Sequence, residues 1–206
     1  EVNLALFYSE YDDLQVSQFD GTLGFVVGNA AEATSQGVEL DGRWLLAEGL
    51  TWSFAAAYLD FEFDDYQDGT CSSKVKQATG QTLCDYSGER NIFTPEWTAS
   101  TSLDYVMGLT DTLDIHATLD VLYTDDQYVD VTLNPDVQQD AYTKLNARLA
   151  LEADNWSLAL VGKNLTDEDI VTFSTDTPLS GTLGAPSYTS YMDRPRTVAV
   201  QAVYRF

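Results

Sequence analysis

Side chains alternate between apolar and polar in segment after segment of this chain, and a period of two leaves little but β-structure for it to fold into. Leu113, Ile115, Ala117, Leu119, Val121 and Tyr123 form one row against Asp114, His116, Thr118 and Asp120. Leu145, Ala147, Leu149 and Leu151 oppose Lys144, Asn146, Arg148 and Glu152. Trp97, Ala99, Leu103 and Tyr105 oppose Glu96, Thr98, Ser100 and Asp104, and Val38, Leu40, Trp44 and Leu46 oppose Glu39, Asp41 and Arg43. At the end, Val198, Val200, Ala202, Tyr204 and Phe206 share a face away from Thr197, Gln201 and Arg205. Helical spacing fits none of these rows, and no heptad or short repeat appears.

The pattern predicts about eight strands, roughly 2–18, 24–46, 50–64, 93–107, 112–126, 139–152, 156–166 and 193–206. Several exceed the roughly 3–10 residues usual in a soluble sheet. Short connections are expected at 47–49, 108–110 and 153–155, and long ones near 65–92, 127–138 and 167–192. Short turns on one side and long loops on the other are the asymmetry of an outer-membrane barrel. No run of about 18 apolar residues suits a spanning helix, but a spanning strand needs only about 9–11 residues and one apolar face.

Alternation alone leaves open which face is apolar-in. A soluble ligand-binding barrel buries its apolar row inside. Charges of both signs on the polar rows favour a wet interior, so Glu39, Asp41, Arg43, His116, Lys144 and Arg148 are expected to face a lumen. Trp52, Tyr58, Trp97, Tyr105, Tyr123, Trp156 and Tyr204 mark strand ends, as interfacial girdles do.

The 206 residues suit one domain, and the formal net charge of -23 argues against nucleic acid, which needs a basic footprint. Cys71 and Cys84 share one polar segment and are expected to bond to each other in an oxidising compartment, since polar loops seldom keep paired cysteines for packing; two free thiols are the alternative. His116 is the only histidine, and no second histidine or cysteine stands at metal-ligand spacing from it. No serine sits in a nucleophile elbow and no phosphate loop is present, so no enzyme, catalytic residue or cofactor is expected. Asp60, Glu62, Asp64, Asp65 and Asp68 are a weak Ca²⁺ candidate without the spacing of an EF-hand, and a solvated acidic rim is the plainer reading. Asp125, Asp126, Asp130, Asp136 and Asp140 extend that acidity, which would concentrate cations and repel anions such as ferric-citrate-like chelates.

Four segments resemble the C-terminal part of TonB-dependent outer-membrane receptors. They are Ala5-Leu-Phe-Tyr-Ser-Glu-Tyr-Asp-Asp-Leu-Gln15, Gly28-Asn-Ala-Ala-Glu-Ala-Thr-Ser-Gln-Gly-Val-Glu-Leu40, Val161-Gly-Lys-Asn-Leu-Thr-Asp-Glu168, and Arg194-Pro-Arg-Thr197 running into Tyr204-Arg-Phe206. The resemblance spans nearly the whole chain, in order. It implies an all-β antiparallel transmembrane barrel, with residues 1–206 supplying about eight C-terminal strands of about 22. Glu1 runs straight into a strand-like segment, so the plug domain and N-terminal strands are expected to lie outside these residues.

The resemblance further implies uptake of a scarce nutrient, a ferric siderophore by default, across the bacterial outer membrane. Partners would be outer-membrane lipid, the barrel assembly machinery, the nutrient ligand, and the TonB-ExbB-ExbD complex through the missing N-terminal part. A terminal Tyr204-x-Phe206 resembles the assembly signal of such barrels. Two other readings stand beside it: a self-closed small outer-membrane barrel with an adhesion or structural role, and the soluble ligand-binding barrel.

Overall fold

The computed structural model describes residues 1–19 and 24–206. Its strands are β1 (Val2–Phe19), β2 (Phe25–Ala47), β3 (Leu50–Asp65), β4 (Gly69–Thr70), β5 (Leu83–Cys84), β6 (Trp97–Thr110), β7 (Leu113–Thr124), β8 (Tyr142–Ala153), β9 (Trp156–Lys163), β10 (Val171–Asp176), β11 (Tyr188–Met192) and β12 (Thr197–Tyr204). Helix α1 is Ser73–Thr79, and Pro135–Val137 form one 3₁₀ turn. Eight strands make one antiparallel sheet in the order β1-β2-β3-β6-β7-β8-β9-β12. The eight expected strands are all present. β1 and β12 end the sheet without pairing to each other, so it is open, and the self-closed small barrel does not describe it.

The register carries each row across the sheet. Trp44, Trp52 and Leu103 align with Leu119 and Ala147, and Leu40, Ala56, Ala99, Tyr123 and Thr143 make another such row. The seven strand-end aromatics all fall on this apolar face. Near one rim, Tyr58 and Trp97 meet at 4.9 Å between ring centroids, with Tyr123 close by in the register. Near the other, Trp52 pairs with Trp44, Tyr105 with Leu50, and Trp156 with Tyr204. Trp97 and Tyr105 on β6 are separated by roughly 27 Å of strand. At a tilt of about 40° this is roughly 20 Å along a membrane normal, close to the about 25 Å apolar band of a barrel.

The connections differ from the sequence reading in two ways. Residues 108–110 lie inside β6, where a register shift between Gly108 and Thr110 absorbs one residue, and the tight turn falls at Asp111 and Thr112. The glycine read as a turn signal marks that irregularity instead. Gly49 is a true turn glycine: its φ is +73° and an added Cβ would stand 2.0 Å from the Val106 carbonyl oxygen. The long connections also carry structure of their own. The first holds β4, α1 and β5, and the third holds the β10–β11 hairpin. Helix α1 is bounded by Ser72, whose side chain accepts from Val75 N, and by Gly80 at φ 78°, the pairing of N-cap and left-handed C-cap that short helices use.

The sheet changes sides at the aromatic rim. Along β3, Ala56 and Tyr58 are followed on the same face by Asp60, Glu62 and Asp64. The opposite face turns from Ala55 and Ala57 to Leu59, Phe61 and Phe63. Phe63 then joins Ala33, Tyr66, Tyr86 and Leu133 in the buried cluster, with Leu14, Val16, Phe61, Ile92 and Tyr128 packed around it. The principal apolar core therefore lies beyond the rim, on the face that is polar between the rims.

Candidate functional site

Three connecting segments, residues 66–96, 125–141 and 164–196, fold together at that end. The first is closed by the Cys71–Cys84 disulfide expected from sequence. Tyr86, from this segment, sends its hydroxyl to the carbonyls of Thr70 at 2.9 Å and Thr132 at 2.7 Å, tying the first segment to the second. Burial, then the neighbouring Tyr66 and the carboxylates of Asp130, Asp176 and Glu89, push the Tyr86 phenol well above its ordinary range, so it stays a donor. Phe93 N donates to Tyr128 O at 3.0 Å, and Arg90 pairs with Asp126 at 2.6 Å.

The third segment docks on the second through Ser174 N to Val129 O at 2.8 Å and Val171 N to Gln139 Oε1 at 2.6 Å. It docks on the first through Ser73 N to Asp176 Oδ2 at 2.6 Å. Lys74 also pairs with Asp136, which holds that carboxyl below the usual range and the ammonium above its own. The outcome is one interlocked cap rather than three separate loops.

The cap predicts a clear redox response. Cross-linking residues 13 apart should contribute about 3 kcal/mol by the loop-entropy account. Non-reducing peptide mapping of the native protein should recover one Cys71–Cys84 linked peptide and no alkylated thiol. Reduction should speed hydrogen exchange in 66–96 and leave β6 to β9 unchanged.

The sequence-derived site residues fall into two places. Glu39, Asp41, Arg43, His116, Lys144 and Arg148 all lie on one face of the sheet, opposite the leucine rows. Arg43, Ser53, Ser102, Asp120 and Asn146 are register partners in turn, and Asp41, Ala55, Ser100, Leu122 and Lys144 form the next row. Thr118 donates to Asp104 at 3.0 Å and Ser102 to Asp120 at 2.8 Å. Arg148 pairs with Glu152 at 3.0 Å, and His116 Nδ1 lies 3.8 Å from the same carboxylate. This face is the crowded one: Ala150 is 1% exposed, whereas Leu149 beside it on the other face is 50% exposed.

The acidic cluster is not brought together as a ligand set. Asp60 accepts from Gln36 at 2.9 Å and Asp64 from Thr34 at 2.8 Å, four residues apart on one face of β3, while Asp65 is exposed at the end of the strand and Asp68 in the turn beyond. Among the described residues no three His, Cys, Asp or Glu side chains are placed to hold a metal ion. The second acidic group is not uniformly solvated. Asp126 and Asp136 are paired, and Asp130 is buried. Tyr204 closes β12 beside Trp156 and its ring stands 5.2 Å from that of Phe206, which lies just past the strand.

Asn164 was missed as a site. At φ 49° it ends β9, and it is buried. Its amide nitrogen donates to Glu168 O and Arg194 O, its carbonyl oxygen accepts from Glu168 N, and its backbone N–H donates to Asn146 Oδ1. Asp167, three residues on, pairs with Arg196 at 2.7 Å. The Asn-Leu-Thr-Asp and Arg-Pro-Arg stretches are thus two halves of one latch at the entry to β12.

A family model described as TonB dependent receptor-like, β-barrel, matches residues 1–165. The chain belongs to this TonB-dependent receptor family. Among solved structures, the ferric yersiniabactin uptake receptor of Yersinia pestis aligns with a TM-score of 0.74 at 22% identity, over 100% of this chain and 27% of that one. The siderophore receptor of Acinetobacter baumannii aligns at 0.67 and 22% identity, over 98% and 25%. The ferric-catecholate import receptor of E. coli K12 aligns at 0.62 and 18%, over 100% and 25%. The chain spans about a quarter of the length of these neighbours. Identities this low establish a shared fold, here a portion of a TonB-dependent receptor barrel. The open sheet follows, since an outer-membrane barrel of this family closes only with its remaining strands.

Proposed function

We propose that this chain is the C-terminal part of the wall, lumen lining and outer cap of an outer-membrane importer powered through the TonB-ExbB-ExbD complex, with a ferric siderophore as cargo and no catalytic residue. The observation that carries the reading is membership of the TonB-dependent receptor family over residues 1–165. The apolar rows then face outer-membrane lipid and the polar rows the lumen, the arrangement of strands that cross a membrane as a barrel. Tyr204 and Phe206 are the signal read by the barrel assembly machinery. The plug domain and earlier strands belong to the rest of the native protein. The acidic outer rows favour a neutral or cationic chelate over an anionic one by their field alone.

A deletion strain lacking the native protein tests this under iron limitation. Uptake of radioactive iron from at least one siderophore should fall to background, return on complementation, and require an intact TonB system. Unchanged iron uptake from every chelate, with loss of uptake of a saccharide or cobalamin, would refute the cargo. Uptake independent of TonB would refute the mechanism.

A further inference from the structure

Two buried carboxylates sit where the three outer segments meet, and among the described residues no cation pairs with either. Asp130 is 1% exposed and Asp176 is 5% exposed. They are brought near each other by the backbone bond from Ser174 N to Val129 O, one residue before Asp130 and two before Asp176. One oxygen of each is used. Asp130 Oδ1 accepts from the backbone N–H and the hydroxyl of Thr132, and Asp176 Oδ2 accepts from Ser73 N. The other two, Asp130 Oδ2 and Asp176 Oδ1, are buried and receive no donor from the described residues. Among the described residues no ion pair reaches either carboxylate: Lys74 pairs with Asp136, Arg90 with Asp126, Arg196 with Asp167 and, from β8, Lys144 with Asp193. Tyr86 directs its proton to backbone carbonyls.

We propose that Asp130 Oδ2 and Asp176 Oδ1 together bind a hard divalent cation, Ca²⁺ or Mg²⁺, which locks the three outer segments to one another. An ionised carboxylate taken out of water is costly unless it is paired or coordinates a metal. Carboxylate oxygens are the donors that hard cations take, and Ca²⁺ and Mg²⁺ complete their shells with backbone carbonyls and water. No cysteine thiolate or histidine is among the groups described at the junction, so a soft metal has nothing to select it. Asn134 Nδ2 is also buried without a partner, but an amide donor cannot ligate a cation and stands outside the set.

Burial raises the Asp130 carboxyl above its ordinary range, the Thr132 hydrogen bonds oppose this, and Asp176 adds to the rise. With the folded value above the unfolded one, the penalty holds at neutral pH and is relieved as pH falls through the folded value. A bound cation relieves the same penalty without a proton.

The test uses the native full-length protein in detergent, stripped with chelator at pH 7.5, then titrated with CaCl₂ or MgCl₂. Hydrogen exchange should slow together at 72–75, 129–134 and 173–176, by about 100-fold at a cation concentration about 100 times Kd. Asp130→Asn and Asp176→Asn should each abolish that response. In chelator, Asp130→Asn should exchange more slowly than wild type, because it removes a buried charge. Protection factors unaffected by either cation would overturn the proposal, and protection factors raised by acidification alone would point instead to a shared proton. An undiminished cation response in both variants would place the ion elsewhere and overturn it equally.

Discussion

Arginine in place of Leu149 will cost the folded protein about 2–4 kcal/mol in a bilayer, whereas arginine in place of Thr118 will cost far less. Leu149 sits mid-strand on β8, flanked in register by Ala117 and Leu160, with half its surface open on the apolar face. A guanidinium there would stand in hydrocarbon with no acceptor in its row. Thr118 is one register step away on the other face, already donating to Asp104 and opposite Arg148. A new arginine there gains a carboxylate and meets a like charge, two effects of similar small size at a wet surface. Ala150 is a poorer control than its polar row suggests, because it is almost fully buried and a larger side chain would overpack it. Urea titration of the native protein refolded in lipid vesicles measures the difference. Equal costs at Leu149 and Thr118 would mean that the leucine rows do not face lipid.

Much of the sheet was legible because a period-two pattern and a membrane impose the same rule. Every leucine row had to share a face, and the register puts Leu119, Ala147 and Gly162 on one line. The charged candidates were legible for the same reason, as Arg43, His116 and Arg148 could not join those rows. The cap was not legible, because its order comes from contacts far apart in sequence. Ser73 meets Asp176 103 residues away, and Tyr86 meets Thr132 46 residues away. Asp130 read as one more acid in a solvated rim, since nothing local distinguishes a buried aspartate from an exposed one. Helix α1 was discernible in principle: Ser72 and Gly80 bracket a seven-residue run of adequate helix formers. Asn164 was visible only as a motif letter, and its left-handed backbone and four hydrogen bonds needed the fold.

Phe63→Ala should remove about 3–5 kcal/mol, as other buried Phe truncations do, and the loss should be confined to the cap. Phe63 is the largest apolar contribution of β3 beyond the rim, with ring contacts to Phe61 at 5.4 Å and Tyr66 at 4.9 Å. Its backbone also exchanges hydrogen bonds with Glu89 O and Gly88 N, so the return of the first outer segment rests on it. Glu62, the preceding residue, projects from the other face and is exposed. Glu62→Ala should therefore stay within about 0.5 kcal/mol, the usual range for a surface change. Hydrogen exchange and limited proteolysis of the native protein should show 66–96 opening in Phe63→Ala, with β6 to β9 as protected as before. Loss of protection through β6 to β9 would mean that cap and barrel wall unfold as one unit. No difference between the two substitutions would mean that the apolar face does not change sides at the aromatic rim. Five residues of β3 separate Trp52 from Tyr58, and within the next five the strand passes from an exposed apolar row to a side chain buried in a protein core. The arginine and alanine substitutions probe that crossing from its two sides.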